Sequence, residues 1–486
     1  MSSLFETTLK SVIWKLIEKA GTQVISFVFL IFLARLLGPE EFACIALLAV
    51  VIAVGDVFVQ GGFTVAIIQA KEESKEICTS IFWIEMAISA LIVLILYFGA
   101  GQIADFFKNE KLAEYVKIIA MIFPLNTVVS IQTALLTRHF EFKKLCWATF
   151  LSTLIPSFCA IGMAFSGMGI YAYIFQQIGT KIILIVILRR SCYWRPELSF
   201  SYFPIQGHLK FAGNIFLSRI ISVIYDKIYE IVIGKYYSAS QLSFFSFGKK
   251  IPTTVWGLVD GTLQSVLLPA LSKLSSREAV RERLRFAMSV STYLITYGML
   301  LLALCSEPLI GIVFGDNWLR CVPFLQVYCF FCIVTTITTN NLQAIYATGN
   351  GKTILRLEVT KKPFGFASLF LALVIFDSPI AIAAAELFYS FIALAINALP
   401  NRKIINYSYR QQFFDIIPVW AVGAFSFVIV RVSFSNCGFS YWLLLIINSV
   451  LYSLLYFGLS WVFKIPSFFN LIRVVSAIVR NPKKRI

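Results

Sequence analysis

Four ionisable residues stand where a membrane helix would place apolar ones. From His208 to Lys235 the chain reads HLKFAGNIFLSRIISVIYDKIYEIVIGK, a run of membrane-spanning length that contains Arg219, Asp226, Lys227 and Glu230. At about 100° per residue, Arg219, Asp226 and Glu230 fall on one helical stripe. Each charge placed in hydrocarbon costs about 2.5 kcal/mol or more, so such groups face a wet cavity or one another. The stripe serves either as ionic glue between helices or as the charged wall of a translocation path. Similar stripes on neighbouring runs favour the wall.

The first apolar run carries Lys15, Lys19, Thr22 and Ser26 on a narrow arc, and the second carries Asp56 and Gln60 one turn apart. Lys15 and Lys19 can also snorkel to headgroups. A later run places Lys249, Thr253, Trp256, Asp260 and Gln264 on one face, with Lys250 beside it and Pro252 positioned to kink it. Glu386, Ser390 and Asn397 form a further stripe, and TTITTNN at 335–341 is polar within an apolar run. For that segment, hydrogen bonding between helices is as good a reading as function. Arg219, Lys227, Lys249, Lys250, Lys15, Lys19, Trp256 and Gln264 are therefore the candidates for binding an anionic substrate. Asp226, Glu230, Asp56 and Asp260 are the candidates for coupling to an ion. No catalytic residue and no metal ligand is assigned. Cys329 and Cys332 form a C-x-x-C on an apolar helix without a second pair, which reads as packing. His139 and His208 lack ligand partners at suitable spacing.

These stripes need helices that cross a bilayer. The 486 residues are 59% hydrophobic and 14% charged, with a mean hydropathy of +0.82, and apolar runs of twenty or more residues recur throughout. The expected fold is all-α and polytopic, with about fourteen transmembrane helices: 11–36, 42–68, 77–104, 112–137, 146–165, 168–190, 208–235, 240–270, 284–306, 321–348, 353–376, 379–399, 414–434 and 439–463. No signal peptide is expected, because the first apolar run is long enough to remain as a span. With both termini in the cytoplasm, 30 of the 42 lysines and arginines fall on the cytoplasmic side. The net charge of +17 is then topological, with the lipid bilayer as its partner. Nucleic acid is not expected, since no aromatic-basic module supports it.

An internal repeat organises the runs. ARLLGPEEFA (34–43) aligns with GKYYSASQLS (234–243), and GGFTVAIIQA (61–70) with GTLQSVLLPA (261–270), both at an offset of 200; IQTALLTR (131–138) aligns with LQAIYATG (342–349) at 211. Two six-helix lobes follow, 1–206 and 207–400, then two additional spans over 401–463 and a basic cytoplasmic tail, 464–486. Parallel repeats of this kind are related by an axis along the membrane normal, and transporters bind substrate between them. Gly38 and Pro39 are expected to shape the outer turn between the first two spans. No nucleotide-binding G-x-x-x-x-G-K-[ST] loop is present, and no long loop carries a catalytic cluster. NYS at 406–408 fits a glycosylation pattern but lies on the cytoplasmic side of this topology.

Several stretches resemble the bacterial polysaccharide transporter family, the O-antigen, capsule and exopolysaccharide flippases of the multidrug/oligosaccharidyl-lipid/polysaccharide superfamily. They are LARLLGPEEFA (33–43), ALLTRHFEFKKL (134–145), the WRP turn (194–196), IVIGKYYSASQL (231–242), GDNWLRCVPFLQV (315–327) and INYSYRQQFFDIIP (405–418). The resemblance covers nearly the whole chain. It implies fourteen helices, two six-helix lobes forming a V around a central cavity, and a polyprenyl-diphosphate-linked oligosaccharide as substrate in the cytoplasmic membrane. SFFSFGKK (243–250) departs from the family: Lys249 and Lys250 keep basic character, but an arginine is absent.

Two functions compete on such a scaffold. A flippase for lipid-linked oligosaccharide, working by alternating access in the bacterial inner membrane, wants a net positive cavity for the diphosphate. A multidrug/cation antiporter wants an acidic one. The candidate residues have a modest basic excess, which favours the flippase. A membrane-embedded transferase or ligase lacks a catalytic constellation, so the chain is not read as an enzyme. No cofactor is expected, and other polysaccharide assembly proteins are the remaining expected partners.

Overall fold

Without water inside a bilayer, each backbone N–H and C=O must be paired within its own segment, and a continuous helix achieves this. The computed structural model describes residues 2–60, 67, 74–199, 201, 206–272, 274, 276–348, 351–434 and 438–480. Among these residues the regular structure is helical, with no strand. Its two compact units, Met1–Ser243 and Phe244–Ile486, are taken in turn.

In the first unit, α1 (Ser2–Leu36) and α2 (Pro39–Gln60) are followed by α3 (Lys75–Phe106), α4 (Lys111–Ile119), α5 (Ile122–Arg138), α6 (Phe142–Phe165), α7 (Ile170–Ser191) and α8 (Gln206–Tyr236). Start and stop signals are local. The Ser74 hydroxyl accepts from the Ile77 amide at the head of α3. Gly167 and Gly169, at φ +79° and +53°, make the tight turn from α6 to α7. α6 packs on α1 and α7, and α2 packs on α8. That last contact includes an edge-on ring pair, Phe58 and Phe216, with centroids 5.3 Å apart. The GGFTVAIIQA segment lies, apart from Ile67, outside the described residues.

The turn that opens the repeat recurs at the expected offset of 200. α1 ends at Leu36 and α2 begins at Pro39, while α8 ends at Tyr236 and α9 (Ala239–Ser272) begins two residues past Tyr237. The Leu37 amide donates to the Leu33 carbonyl as Tyr237 does to Ile233, and Phe42 donates to Gly38 as Leu242 does to Ser238. Gly38 has open space around its missing Cβ and no positive φ. The backbone of that turn therefore does not demand glycine, contrary to the role expected for it.

The second unit holds α9 from Phe244 onward, then α10 (Arg277–Leu304), α11 (Ser306–Val313), a short 3-10 turn (Asp316–Cys321), α12 (Val322–Ala347), α13 (Gly351–Ile375) and α14 (Pro379–Ala398). It closes with α15 (Asn401–Ile405), α16 (Tyr409–Phe434), α17 (Tyr441–Val462) and α18 (Pro466–Arg480). The two extra spans, α16 and α17, pack on α10 through a buried aromatic column. There Tyr297 and Tyr452 stack at 5.8 Å, and the Tyr456 hydroxyl donates to the Tyr293 carbonyl at 3.0 Å. The tail beyond 463 forms α18, docked on α10 by the Ser289–Ser467 hydroxyl pair at 2.8 Å; residues 481–486 lie outside the described residues. Cys329 and Cys332 are free and buried on α12, as packing requires.

Eleven stretches of the described residues are long and apolar enough to cross a membrane. Their exposed faces are large apolar side chains such as Phe98, Phe158, Val432 and Trp461, which a bilayer would cover. Three further helices, α8 (31 residues), α9 (34) and α13 (25), are long enough at about 1.5 Å per residue for a hydrocarbon core of about 30 Å. They are more polar, and α8 and α9 carry most of the candidate site residues. Apolar length alone thus does not reach the expected fourteen. The six-helix lobes are a division by sequence similarity, and the compact units, which place α8 with α1–α7, are a division by packing.

Candidate functional site

In the second unit a polar seam runs along α9, facing α12 and α14. Lys249 Nζ lies 3.2 Å from each carboxylate oxygen of Glu386 on α14. The Tyr328 hydroxyl of α12 donates to Glu386 Oε2. The same ammonium stands 5.3 Å from the centroid of the Tyr328 ring and 5.6 Å from that of Phe245, which adds cation–π attraction. Two turns on, Trp256 Nε1 donates to Thr336 Oγ1 at 3.0 Å. One turn further, Asp260 accepts from Thr339 Oγ1 at 2.8 Å and from Gln264 Nε2. Gln343 Nε2 then donates to Gln264 Oε1 at 3.1 Å.

The spacing 249, 256, 260, 264 is one face of a helix, so a single helical stripe meets the stripe 328, 336, 339, 343 on α12. Lys249, Trp256, Asp260 and Gln264 are brought together as the sequence suggests, while Lys250 is exposed. The TTITTNN run joins helices in addition: Asn340 Nδ2 donates to Ser291 Oγ at 2.8 Å, and Asn341 Nδ2 to Gln412 Oε1 at 2.9 Å. On α14, Asn397 is fully buried and neither amide atom has a hydrogen-bond partner.

The first unit places its candidates on several helices. Lys15 pairs with Glu18 at 3.0 Å, on the same helix and with the lysine half exposed; Lys19 is exposed. Asp56 of α2 accepts from Asn126 Nδ2 of α5, and the Lys181 ammonium of α7 is close enough for its charge to be felt at Asp56. On α8, Glu230 is buried and pairs with Lys227 at 3.3 Å, one turn back. Arg219 and Asp226 are exposed, and Arg219 forms no ion pair among the described residues. The expected Arg219–Asp226–Glu230 stripe is thus split by environment, two members exposed and one buried against Lys227.

Sequence reasoning passed over four groups. Tyr328 had no signal, being one tyrosine among many. Asn126 and Lys181 lie in apolar runs, and Lys181 stood out only as an intramembrane charge without a stripe. Glu85 of α3 is fully buried; it accepts from Ser130 Oγ at 3.4 Å, and its second oxygen has no partner. An isolated acid in an apolar run was its available signal.

Chemically, the second-unit seam offers one ammonium, two carboxylates and a row of neutral donors inside a membrane-length bundle. Nothing there pairs a nucleophile with a base. It can hold charge and polar groups at depth.

Comparison with known proteins agrees with such a molecule. The chain is 25% identical over 321 residues to the succinoglycan biosynthesis transport protein ExoT of Rhizobium meliloti, covering 66% of this chain and 65% of that one. The chain therefore aligns to just under two thirds of that relative's length. It is 22% identical over 340 residues to the lipopolysaccharide biosynthesis protein WzxC of Escherichia coli, covering 69% of each. Among solved structures, the lipid II flippase MurJ in an inward closed conformation superposes with a TM-score of 0.75 at 15% identity, covering 92% of this chain and 99% of that one. An inward-facing multidrug resistance transporter of the MATE family gives 0.59 at 12% identity, covering 82% and 94%. At these identities the two structures establish the fold alone. The model of one family, described as polysaccharide biosynthesis protein, matches residues 32–323, more than half of the chain, and the chain belongs to that family.

Proposed function

We propose that the protein is a transporter, not a catalyst, that flips a polyprenyl-diphosphate-linked oligosaccharide across the bacterial inner membrane. The observation that carries this reading is family membership over residues 32–323 in a chain built of membrane-length helices. The relatives' names support the substrate class: one is a succinoglycan transport protein and another a lipopolysaccharide biosynthesis protein.

The diphosphate headgroup is the part that cannot cross hydrocarbon unaided, and charge-assisted hydrogen bonds to lysine or arginine would hold it. Arg219 is suited to this because it is exposed and has no ion pair among the described residues. Lys249 is suited because its Glu386 contact holds its side chain in place within the bundle. Transport would proceed by alternating access, exposing the headgroup to one side and then the other. Asp56, Asp226, Glu230 and Asp260 stay the candidates for ion coupling. Both termini would be cytoplasmic, and other polysaccharide assembly proteins would act before and after the flip.

The antiporter reading draws on the shared fold of the MATE structures, and fold does not fix function. The test is deletion of the gene in its host. Lipid-linked glycan should accumulate in the inner leaflet, and wild-type protein should clear it. Normal outer-leaflet delivery in the deletion strain, together with gain of drug sensitivity, would favour the antiporter.

A further inference from the structure

A cavity of about 420 Å³ opens at one end of the second unit, outside the polar seam. Its rim carries Arg277 at the head of α10, Lys403 of α15 and Thr348 just past α12, and its inner wall includes Val280 and Ile405. Arg277 and Lys403 are exposed, and neither makes an ion pair among the described residues. Val280 and Ile405 are buried members of the core beneath. The Ser276 hydroxyl, also on the rim, is already used to cap α10 through the Ala279 amide at 3.1 Å. The lining thus combines two cations with aliphatic side chains.

Its depth is set by the helices around it. Arg277 begins a membrane-length stretch, and Ala347 and Ile405 end two others. The cavity therefore lies where the chain leaves the apolar zone; Arg281, Arg283 and Arg285 follow Arg277 on α10 with Glu278 and Glu282 among them, Arg285 pairing with Asp415, and Arg402 precedes Lys403. Its volume is within the range of about 300–1,000 Å³ typical of ligand pockets.

We propose that this cavity is a binding site for the phosphate headgroup of an anionic membrane lipid, with Arg277 and Lys403 as its charged ligands. A phosphodiester supplies the anion that two cations lining one cavity attract, and its glycerol and first methylenes match the aliphatic lining. Basic pockets between helices at a membrane face recognise headgroups by this combination. A free phosphate would satisfy the cations but leave the apolar wall in water. The proposal does not rest on the transport reading and stands or falls without it.

The test is native mass spectrometry of the purified full chain in detergent, titrated separately with phosphatidylglycerol and phosphatidylcholine. Wild-type protein should bind one phosphatidylglycerol at least about tenfold more tightly than phosphatidylcholine. Arg277→Ala combined with Lys403→Ala should abolish that preference, whereas Arg402→Ala, next in sequence but off the rim, should keep it. If the double substitution lowers the melting temperature, each single substitution carries the same test. Equal binding of the two lipids, or a preference unchanged in the double variant, would overturn the proposal. Loss of the phosphatidylglycerol adduct to millimolar inorganic phosphate would also overturn it, assigning the cavity to the free ion.

Discussion

Lys249 on α9 and Glu386 on α14 are joined by two contacts of 3.2 Å across 137 residues of sequence. The Tyr328 hydroxyl also donates to this carboxylate. A buried pair of this kind contributes little net stability against an apolar pair, but removing one member strands the other.

That asymmetry separates glue from function at this position. Lys249→Met alone should destabilise the protein by roughly 3–5 kcal/mol, and Lys249→Met with Glu386→Met should recover most of that. Thermal unfolding in detergent measures both. If Lys249 also binds the substrate, the double variant regains its folded level but not glycan delivery in the deletion strain. Recovery of both would reduce the pair to a structural link.

Gly38 should accept serine. The equivalent residue in the second copy of the turn is Ser238, whose hydroxyl accepts from the Gln241 amide while the Gln241 side chain accepts from the Ser238 amide. Gly38→Ser would recreate this capping box with Glu41, adding roughly 0.3 kcal/mol. An unchanged or slightly raised melting temperature is expected. A marked loss of folded protein would show that the turn needs glycine after all.

Gly248 should tolerate nothing larger. A Cβ there would stand 2.8 Å from the Cys321 carbonyl oxygen and 2.9 Å from the Leu325 amide nitrogen, both backbone atoms that cannot swing away. Gly248→Ala should cost about 3 kcal/mol by overpacking. Gly298 has nothing within 4 Å of its would-be Cβ, so Gly298→Ala should be neutral or gain up to about 1 kcal/mol of helix propensity. Comparing the two melting temperatures checks the contrast; equal effects would contradict the close approach of α9 to α12.

Glu85 has a single 3.4 Å hydrogen bond from Ser130 and no cation beside it among the described residues. Glu85→Gln keeps the shape and the Ser130 contact, and should change stability by about 1 kcal/mol or less. Glu85→Lys buries a charge with no partner and should prevent accumulation of folded protein. Fluorescence-detected size exclusion of the two variants separates them. Equal profiles would show that Glu85 is reached by water or an ion.

The sequence by itself determined the helical membrane class, the polar faces and the repeated turn. Apolar length is a local property, a stripe follows from the fixed angle between successive residues, and the Leu36/Pro39 and Tyr236/Ala239 boundaries follow from short-range signals. Lys249, Trp256, Asp260 and Gln264 could be placed on one face for that reason. Their partners could not, because Thr336, Thr339, Gln343 and Glu386 lie 79 to 137 residues away and no helical period connects separate helices. The same limit explains Arg219, Asp226 and Glu230. A shared stripe fixes direction about one helix axis, but the helix packed against α8 at each level decides what is buried. The Lys227–Glu230 pair is local, three residues apart on α8, whereas tertiary structure alone buried Glu230, left Arg219 exposed and set Asp56 against Asn126, since each of those outcomes depends on which side chains from distant segments fill the adjacent space.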